Sequence, residues 1–389
     1  MGKVSVAVKE DHCRVETSGF EAVIIGCGIA GASVAYFLSQ RGMTDILILE
    51  RETQPGYHAT GRSAAVLVEF DMVRPILQLK LLGARFLRNP PAGFSENPLL
   101  QQSGILILFQ APLWQHVAQM IPDLKRWGVA VDVLDREETV KRMPVVSPEN
   151  FDGALLLPQD GRIDVNELLW GYLKQARARG ARLLCNEEVS DIMVERGRCV
   201  GVRTSSGTYR SRWVINAAGA WAGQIRELIG PSPVQLTPHR RTIVTFKPPE
   251  GLVVRQWPLV ADLSHDLYFS PESAGLMASP MDQDPMPACD VRPDEMGVAR
   301  TMERLEEITP RLVPRSIVHK WAGLRTFAPD QVMVVGEDTD VKGFFWLAGQ
   351  GGAGIETSPA VGRIAADLMV DGRTDLVDAR LYSPARFGR

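Results

Sequence analysis

Apolar and polar positions fall into blocks along this chain, and the blocks change character as it proceeds. Ala22-Val-Ile-Ile25 is a short apolar run that breaks into glycines at 26, 28 and 31. An amphipathic stretch follows, and then a second apolar run, Ile46-Leu-Ile-Leu49, closed by Glu50. Such runs predict buried strands, so the segment reads strand, helix, strand. Residues 72–88 predict a helix, with Ile76, Leu79, Leu82 and Phe86 on one side and Asn89-Pro-Pro as its stop. Residues 104–109 predict a strand, 113–127 a helix interrupted at Pro122, and 153–158 another strand. Asp164 is the expected N-cap of a helix over 165–179, with Gly180 beyond its end.

Short strands are predicted at 182–186, 189–195, 199–205 and 208–210, separated by Gly197 and Gly207, and they lead into Trp213-Val-Ile-Asn-Ala-Ala-Gly-Ala-Trp221. The middle of the chain differs. Residues 242–246, 267–269 and 275–278 predict an antiparallel sheet, broken by prolines and glycines, and 298–308 a helix. The end of the chain returns to the opening pattern, with apolar runs at 332–336 and 344–348, glycines at 349, 351, 352 and 354, and a helix over 360–369. With no internal repeat and no low-complexity linker, the two patterns predict an α/β domain interleaved with a mixed antiparallel-sheet domain.

Composition narrows the function. The chain has 389 residues, 45% hydrophobic and 23% charged, as in an ordinary globular enzyme, and its net charge of −3 implies no nucleic-acid surface. The apolar runs are too short to span a bilayer. Residues 1–19 are polar and lack a secretory core, which predicts an N-terminal extension on a cytoplasmic protein. Five cysteines without a CxxC spacing read as free thiols, and no cysteine–histidine grouping suits a metal.

The candidate chemistry lies in the glycines. Gly26 permits a tight turn, Gly28 a close approach of backbone to a pyrophosphate, and Gly31 close packing of helix on strand; Glu50 stands where ribose hydroxyls would donate to it. This order of strand, glycines, helix, strand and acid predicts a bound dinucleotide, with its phosphates at the helix N-terminus. The small-residue loop Tyr57-His-Ala-Thr-Gly-Arg-Ser-Ala-Ala65, the strand end at Gly219 and the glycines of 349–354 suit further close contacts with that ligand.

Gly26-x-Gly28-x-x-Gly31, Glu50, His58-Ala-Thr-Gly-Arg-Ser63, Val214-Ile-Asn-Ala-Ala-Gly-Ala-Trp221 and Trp346-Leu-Ala-Gly-Gln-Gly-Gly-Ala-Gly354 together resemble the FAD-dependent D-amino-acid oxidase superfamily, which includes glycine and sarcosine oxidases. Within it, Gly56–Ala65, Asn89–Phe94, Trp321-Ala-Gly-Leu-Arg325 and Gly343–Trp346 look most like bacterial D-arginine dehydrogenase. The resemblance implies a Rossmann-like FAD domain over 20–90, 150–230 and 320–389, and a substrate domain over 91–149 and 231–319. It implies FAD, held non-covalently because no cysteine stands near Trp321–Phe327. Implied cofactor contacts are Gly26, Gly28, Ile29, Ala30 and Gly31 in the first turn, and Glu50 and Arg51 after the second strand. They continue through His58, Ala59, Thr60, Gly61, Arg62, Ser63 and Ala64. Val189, Ala218, Gly219, Trp221 and Gly323 follow, and the C-terminal loop adds Gly349, Gly351, Gly352, Ala353, Gly354 and Ile355.

For the substrate, the resemblance implies Arg325 and Tyr268 as carboxylate holders and Arg241 beside them; Arg325 and Gly352 also border the flavin. An arginine suits that task because it presents paired donors and stays charged when desolvated. The family's side-chain-binding positions fall here on Val66, Asp71 and Ile105. A guanidinium buried against Val66 and Ile105 would lack a partner, so arginine and lysine are expected to be poor substrates, with Asp71 or Glu69 as possible replacement charges. The implied reaction is oxidation of a small, neutral or apolar, D-configured amino acid to the imine and then the keto acid. Hydride passes from Cα to FAD N5, and electrons go on to oxygen, a quinone or another acceptor. Alternatives are a secondary amine, a 2-hydroxy acid (which needs a base such as His58 or His239), or a non-catalytic flavin-holding subunit.

Overall fold

A computed structural model describes residues 19–273 and 275–388. Except for Gly19, the predicted extension lies outside the described residues. The first strand, Phe20–Ile25, is the centre of a parallel sheet. Ile46–Glu50 pairs on one side of it and Thr208–Asn216 on the other; Arg182–Cys185 and Phe344–Ala348 extend the sheet outward, again in parallel. Val334–Glu337 closes one edge antiparallel. The apolar runs are apolar because both faces are covered: Phe20, Val23, Ile25, Leu47 and Leu49 face one core, while Ala22, Ile24, Ile46 and Ile48 face another.

Helix Ile29–Gln40 packs on that second face beside Gly354–Asp371, Arg74–Arg88 and Val165–Ala178. Small residues set the helix spacing. A Cβ at Gly362 would lie 2.8 Å from Ser33 Oγ, and one at Gly83 only 1.9 Å from the Glu356 carbonyl.

A second, nine-stranded sheet runs Asp284–Pro285, Thr237–Phe246, Gly275–Ser279, Leu267–Glu272, Leu259–Asp262, Ile105–Phe109, Gly153–Leu157 and Asp132–Leu134, with Ile317–Phe327 also on Thr237–Phe246. Only Leu259–Asp262 and Ile105–Phe109 run parallel within it. Strands Gly153–Leu157 and Ile317–Phe327 thus pair with the second sheet, although segments 150–230 and 320–389 were expected to go with the first. The chain crosses between the sheets more finely than sequence blocks show. A three-stranded patch of Val66–Leu67, Gly161–Ile163 and Leu100–Gln101 lies apart from both.

Several boundaries moved for local reasons. Pro122 stays inside a continuous helix, Leu113–Arg126, whose Val117 and Leu124 are both buried, so packing anchors the helix on either side of the proline. The helix expected at 298–308 starts at Glu295, capped by the Asp294 carboxylate, which accepts from the Gly297 amide. The last helix starts at Gly354 rather than 360, so the glycine run opens directly onto its N-terminus. Residues 208–210 and 213–216 merge into one strand, and a capped helix, Arg136–Arg142, was not anticipated.

One buried ion pair ties the connection between Val334–Glu337 and Phe344–Ala348 to the helix Ala222–Glu227 that follows Thr208–Asn216. Asp338, 1% exposed, accepts from Arg226 Nε (2.8 Å), Trp346 Nε1 (2.8 Å) and the amides of Asp340 and Val341. Burial pushes its carboxyl up, but these donors outweigh burial and hold it below the usual range. Its stabilisation is therefore complete above the ordinary carboxyl range and is lost as pH falls through the lowered value. Asp338→Ala should cost about 3–5 kcal/mol in denaturant unfolding at neutral pH, since Arg226 is left buried and uncompensated. The gap to the parent protein should narrow as the medium is acidified below about pH 4.

Candidate active site

Three connected chambers run from the glycine turn to the second sheet. The first, about 590 Å³, lies beyond the carboxyl ends of the parallel strands and is lined by Gly26, Gly28, Glu50, Arg51, Thr60, Val189, Ala218 and Trp221, among others. This is the crevice position for ligands of open α/β sheets. Gly26 has φ +97°, and a Cβ there would come 2.7 Å from the Ala217 carbonyl. At Gly31 a Cβ would sit 2.0 Å from the Gly26 carbonyl, so Gly31 makes the turn and lines no chamber. Gly61 likewise shapes its own turn, where a Cβ would meet the Gly56 carbonyl at 2.7 Å. At Gly28, by contrast, only Thr60 Oγ1 is near (3.2 Å), and that oxygen accepts from the Ile29 amide at 3.0 Å. The backbone there is open to a ligand.

Glu50 is fixed before any ligand arrives. Its Oε2 accepts from the Cys27 amide at 2.8 Å and its Oε1 from the Glu52 amide at 3.0 Å. The Arg51 guanidinium stacks over Trp221 at 3.7 Å, and His58 packs on the same ring with centroids 4.5 Å apart. Glu52, which the sequence pattern did not single out, holds both: it pairs with Arg51 Nε at 2.9 Å and lies 2.8 Å from His58 Nε2. Arg62 lines the first and second chambers and bonds to Asp290 and the Val291 carbonyl, which fastens the 57–65 loop to the second sheet's side.

The second chamber, about 140 Å³, is a slot bounded by Ile29, Ala30, Thr60, Ser63, Ala64, Gly323, Gly349, Gly351, Gly352, Gly354 and Ile355. Two of its glycines have no room for a side chain as the neighbouring side chains stand. A Cβ at Gly351 would be 2.4 Å from the Phe327 ring, and one at Gly352 would be 2.8 Å from Arg325 Nη1. The slot and the third chamber share Arg241, Tyr268 and Arg325.

Sheet register puts those three together. Arg241 lies opposite Gly323, and Arg325 opposite His239, on adjacent antiparallel strands. Arg241 and Arg325 are therefore diagonal neighbours on one face. Tyr268, Ala261 and Ile107 are consecutive cross-strand partners, and all line the third chamber. Arg241 is only 3% exposed; its Nε donates to the Asp282 carbonyl at 2.9 Å, yet Nη1 and Nη2 have no partner, nor has Tyr268 Oη. Burial, and next the charge of Arg325, pull Arg241 down to about 9. Arg241, expected only to stand beside the carboxylate holders, is the most deeply committed of the three.

The third chamber, about 450 Å³, has an apolar wall of Val66, Val68, Phe70, Ile105, Ile107, Leu259 and Met281. Val66 and Ile105, which the resemblance puts at the side-chain pocket, both line this chamber. Asp71 lines the chamber too, but its Oδ2 is 3.0 Å from Lys80 Nζ and its Oδ1 accepts from the Val73 amide. Lys80 also meets Glu356 Oε1 at 3.2 Å, while Glu356 Oε2 accepts from the Val68 amide. Burial opposes charge on Lys80, yet the two carboxylates hold its ammonium above the usual range. Glu69 turns away, paired with Arg88 beside Asp160, and lines no chamber. Lys80 and Glu356 were not anticipated, although Lys80 stands one turn from Ile76 on an apolar helix face. Neither histidine named as a base is at this end: His58 lines only the first chamber, and His239 lines none of the three.

The chain belongs to the FAD-dependent oxidoreductase family DAO, whose model matches residues 21–368. It is an FAD-dependent flavoprotein oxidoreductase, and the open glycine turn, the fixed Glu50 and the slot fit that cofactor. It is 26% identical to the hydrogen cyanide synthase subunit HcnC of Pseudomonas aeruginosa, over 95% of this chain and 96% of that one. It is 23% identical to the mitochondrial pyruvate dehydrogenase phosphatase regulatory subunit of Mus musculus, over 95% of this chain but only 43% of that longer protein. The fold matches the crystal structure of L-proline dehydrogenase from P. horikoshii with a TM-score of 0.83 and 23% identity, covering 96% of this chain and 98% of that one. No helix among the described residues is long and apolar enough to cross a membrane.

The partnerless Arg241 donors set a prediction. A small carboxylate such as acetate, titrated by its perturbation of the flavin spectrum, should bind, and Arg241→Met should weaken that binding about 10- to 100-fold at neutral pH. Affinity for acetate that is unchanged in Arg241→Met contradicts the assignment.

Proposed function

We propose that this enzyme oxidises the α-carbon of a small α-amino acid with a neutral, apolar side chain, D-configured as the subgroup resemblance implies, to the imine, which water hydrolyses to the keto acid and ammonia. The observation that carries this reading is the set of buried, unpartnered donors, Arg241 Nη1 and Nη2 and Tyr268 Oη, beside Arg325 at the slot. Such donors call for a carboxylate. FAD, when bound non-covalently, supplies the hydride acceptor; the residues lining the slot include neither cysteine nor histidine to attach it.

The chain's own share is positioning. Arg325 and Arg241 clamp the carboxylate, and Tyr268 donates to it. Gly352, which has no Cβ, lets the substrate amine come close to the backbone. Val66, Ile105, Ile107 and Leu259 take the side chain and exclude water. Orientation of this kind supplies most of the rate when the cofactor carries the chemistry. The amine need only reach the site unprotonated, so no protein base is required. A 2-hydroxy acid does require one. The acids lining the third chamber, Asp71 and Glu356, are both engaged with Lys80, which favours the amine. A basic side chain would meet apolar walls and an Asp71 already neutralised. The electron acceptor, whether oxygen, a quinone or another carrier, meets the flavin after the imine has formed.

Anaerobic bleaching of the flavin across D- and L-amino acids, N-methyl amino acids and 2-hydroxy acids tests the reading. Neutral apolar D-amino acids should bleach it, with arginine and lysine at least about 100-fold less efficient, as the cost of an unpaired buried charge dictates. Arg325→Met should raise KM about 100-fold, because a charge-assisted bidentate contact is lost. A flavin that no amino acid reduces sinks the proposal, and one that no member of the panel reduces leaves the non-catalytic subunit standing.

A further inference from the structure

Gln350 is a polar side chain at the junction of the slot and the third chamber that the carboxylate clamp does not use. It lies between Gly349 and Gly351, both at positive φ (+68° and +53°), and lines both chambers. Its Nε2 is buried without any acceptor. Gly354 opens the last helix, and a Cβ there would stand 2.7 Å from Gln350 Oε1. The carbonyl oxygen therefore sits at the helix N-terminus, where unpaired amides and the helix dipole favour it. The amide nitrogen is left without an acceptor on a residue that lines both chambers.

A count of donors and acceptors shows what Nε2 is for. The neighbouring functional groups around the slot, Arg241, Arg325 and Tyr268, are themselves donors in need of acceptors. One substrate carboxylate offers about four acceptor sites. Arg241 Nη1 and Nη2, Tyr268 Oη and a bidentate Arg325 guanidinium already exceed these. Gln350 Nε2 is surplus to the carboxylate, and a buried amide left without an acceptor is costly.

We propose that Gln350 is a cofactor-contacting residue whose Nε2 donates to the hydrogen-bond-accepting edge of the flavin ring in the slot. There it favours the reduced ring, which carries more negative charge than the oxidised one. The inference rests on the flavoprotein assignment and on the carboxylate clamp proposed above, but its test needs no substrate.

The experiment uses the FAD-loaded protein, with Gln350→Leu and Gln350→Glu as variants. The first removes the donor; the second keeps the shape and puts an acceptor in its place, and it serves if the first does not retain FAD. Two readouts are taken: the midpoint potential by dye equilibration, and the Kd for sulfite, which adds to the flavin and leaves it anionic. Loss of the donor should weaken sulfite binding about tenfold and lower the potential, more so with the carboxylate of Gln350→Glu. Parent values for both readouts in both variants overturn the proposal. An unchanged potential with weakened acetate binding overturns it too, because Nε2 then serves the carboxylate. Neither readout depends on which amino acid, if any, bleaches the flavin, so failure here is separable from failure of the proposed function.

Discussion

Two guanidinium groups on one sheet face, one of them almost wholly buried and short of partners, set the terms for the rest of this site. Burial disfavours the charge of Arg241, and the neighbouring charge of Arg325 adds to this, so Arg241 is pulled down to about 9. Nothing around them relieves it fully. The Asp282 carbonyl takes Arg241 Nε, and the Asp282 carboxylate Oδ1 stands 3.8 Å off while also accepting from the Thr242 amide. The fold over-determines the position through the paired strands Thr237–Phe246 and Ile317–Phe327, so the strain is held rather than relaxed. On the function proposed above, an arriving carboxylate would relieve it, and that relief would be binding energy available beside the slot.

The chambers succeed one another because two sheets of different kinds meet there. The parallel sheet ends at the glycine turn and contributes backbone: open amides, a tight loop and the start of a helix. The antiparallel sheet contributes side chains on one face, with alternation putting Ile105, Ile107, Leu259, Ala261, Tyr268 and Arg241 on the chamber side. The slot lies between them and has almost no room for side chains, which is why Gly323, Gly349, Gly351, Gly352 and Gly354 cluster around it. On the far wall, Lys80 latches the 66–71 loop to the last helix through Asp71 and Glu356. A position that invited reading as a substrate-binding acid is instead part of the wall's support.

The relatives share this scaffold across nearly the whole chain and carry different names: a cyanide synthase subunit, a phosphatase regulatory subunit, a proline dehydrogenase. A fold that serves so many ends leaves function to its sites, and the function proposed above assigns specificity to the few residues facing the third chamber. Here those residues are mostly aliphatic. The charged groups at the chamber's Lys80 end are satisfied by one another, whereas those at the Arg241 end are not.

The sequence alone determined the cofactor-binding architecture. Glycines at 26, 28 and 31 between two apolar runs, with Glu50 at the end, make a local pattern, and its physics of turn, helix dipole and close approach plays out within about 30 residues. It also marked Arg325 and Tyr268 through family likeness, and the apolar substitutions at Val66 and Ile105. Only the tertiary structure decided which charges are free. The depth of Arg241, the capture of Asp71 by Lys80, the turning away of Glu69 toward Arg88, and the idle amide of Gln350 all depend on strand register and on helices that approach from distant parts of the chain. Burial and pairing are properties of neighbours in space, and no spacing along the chain encodes them.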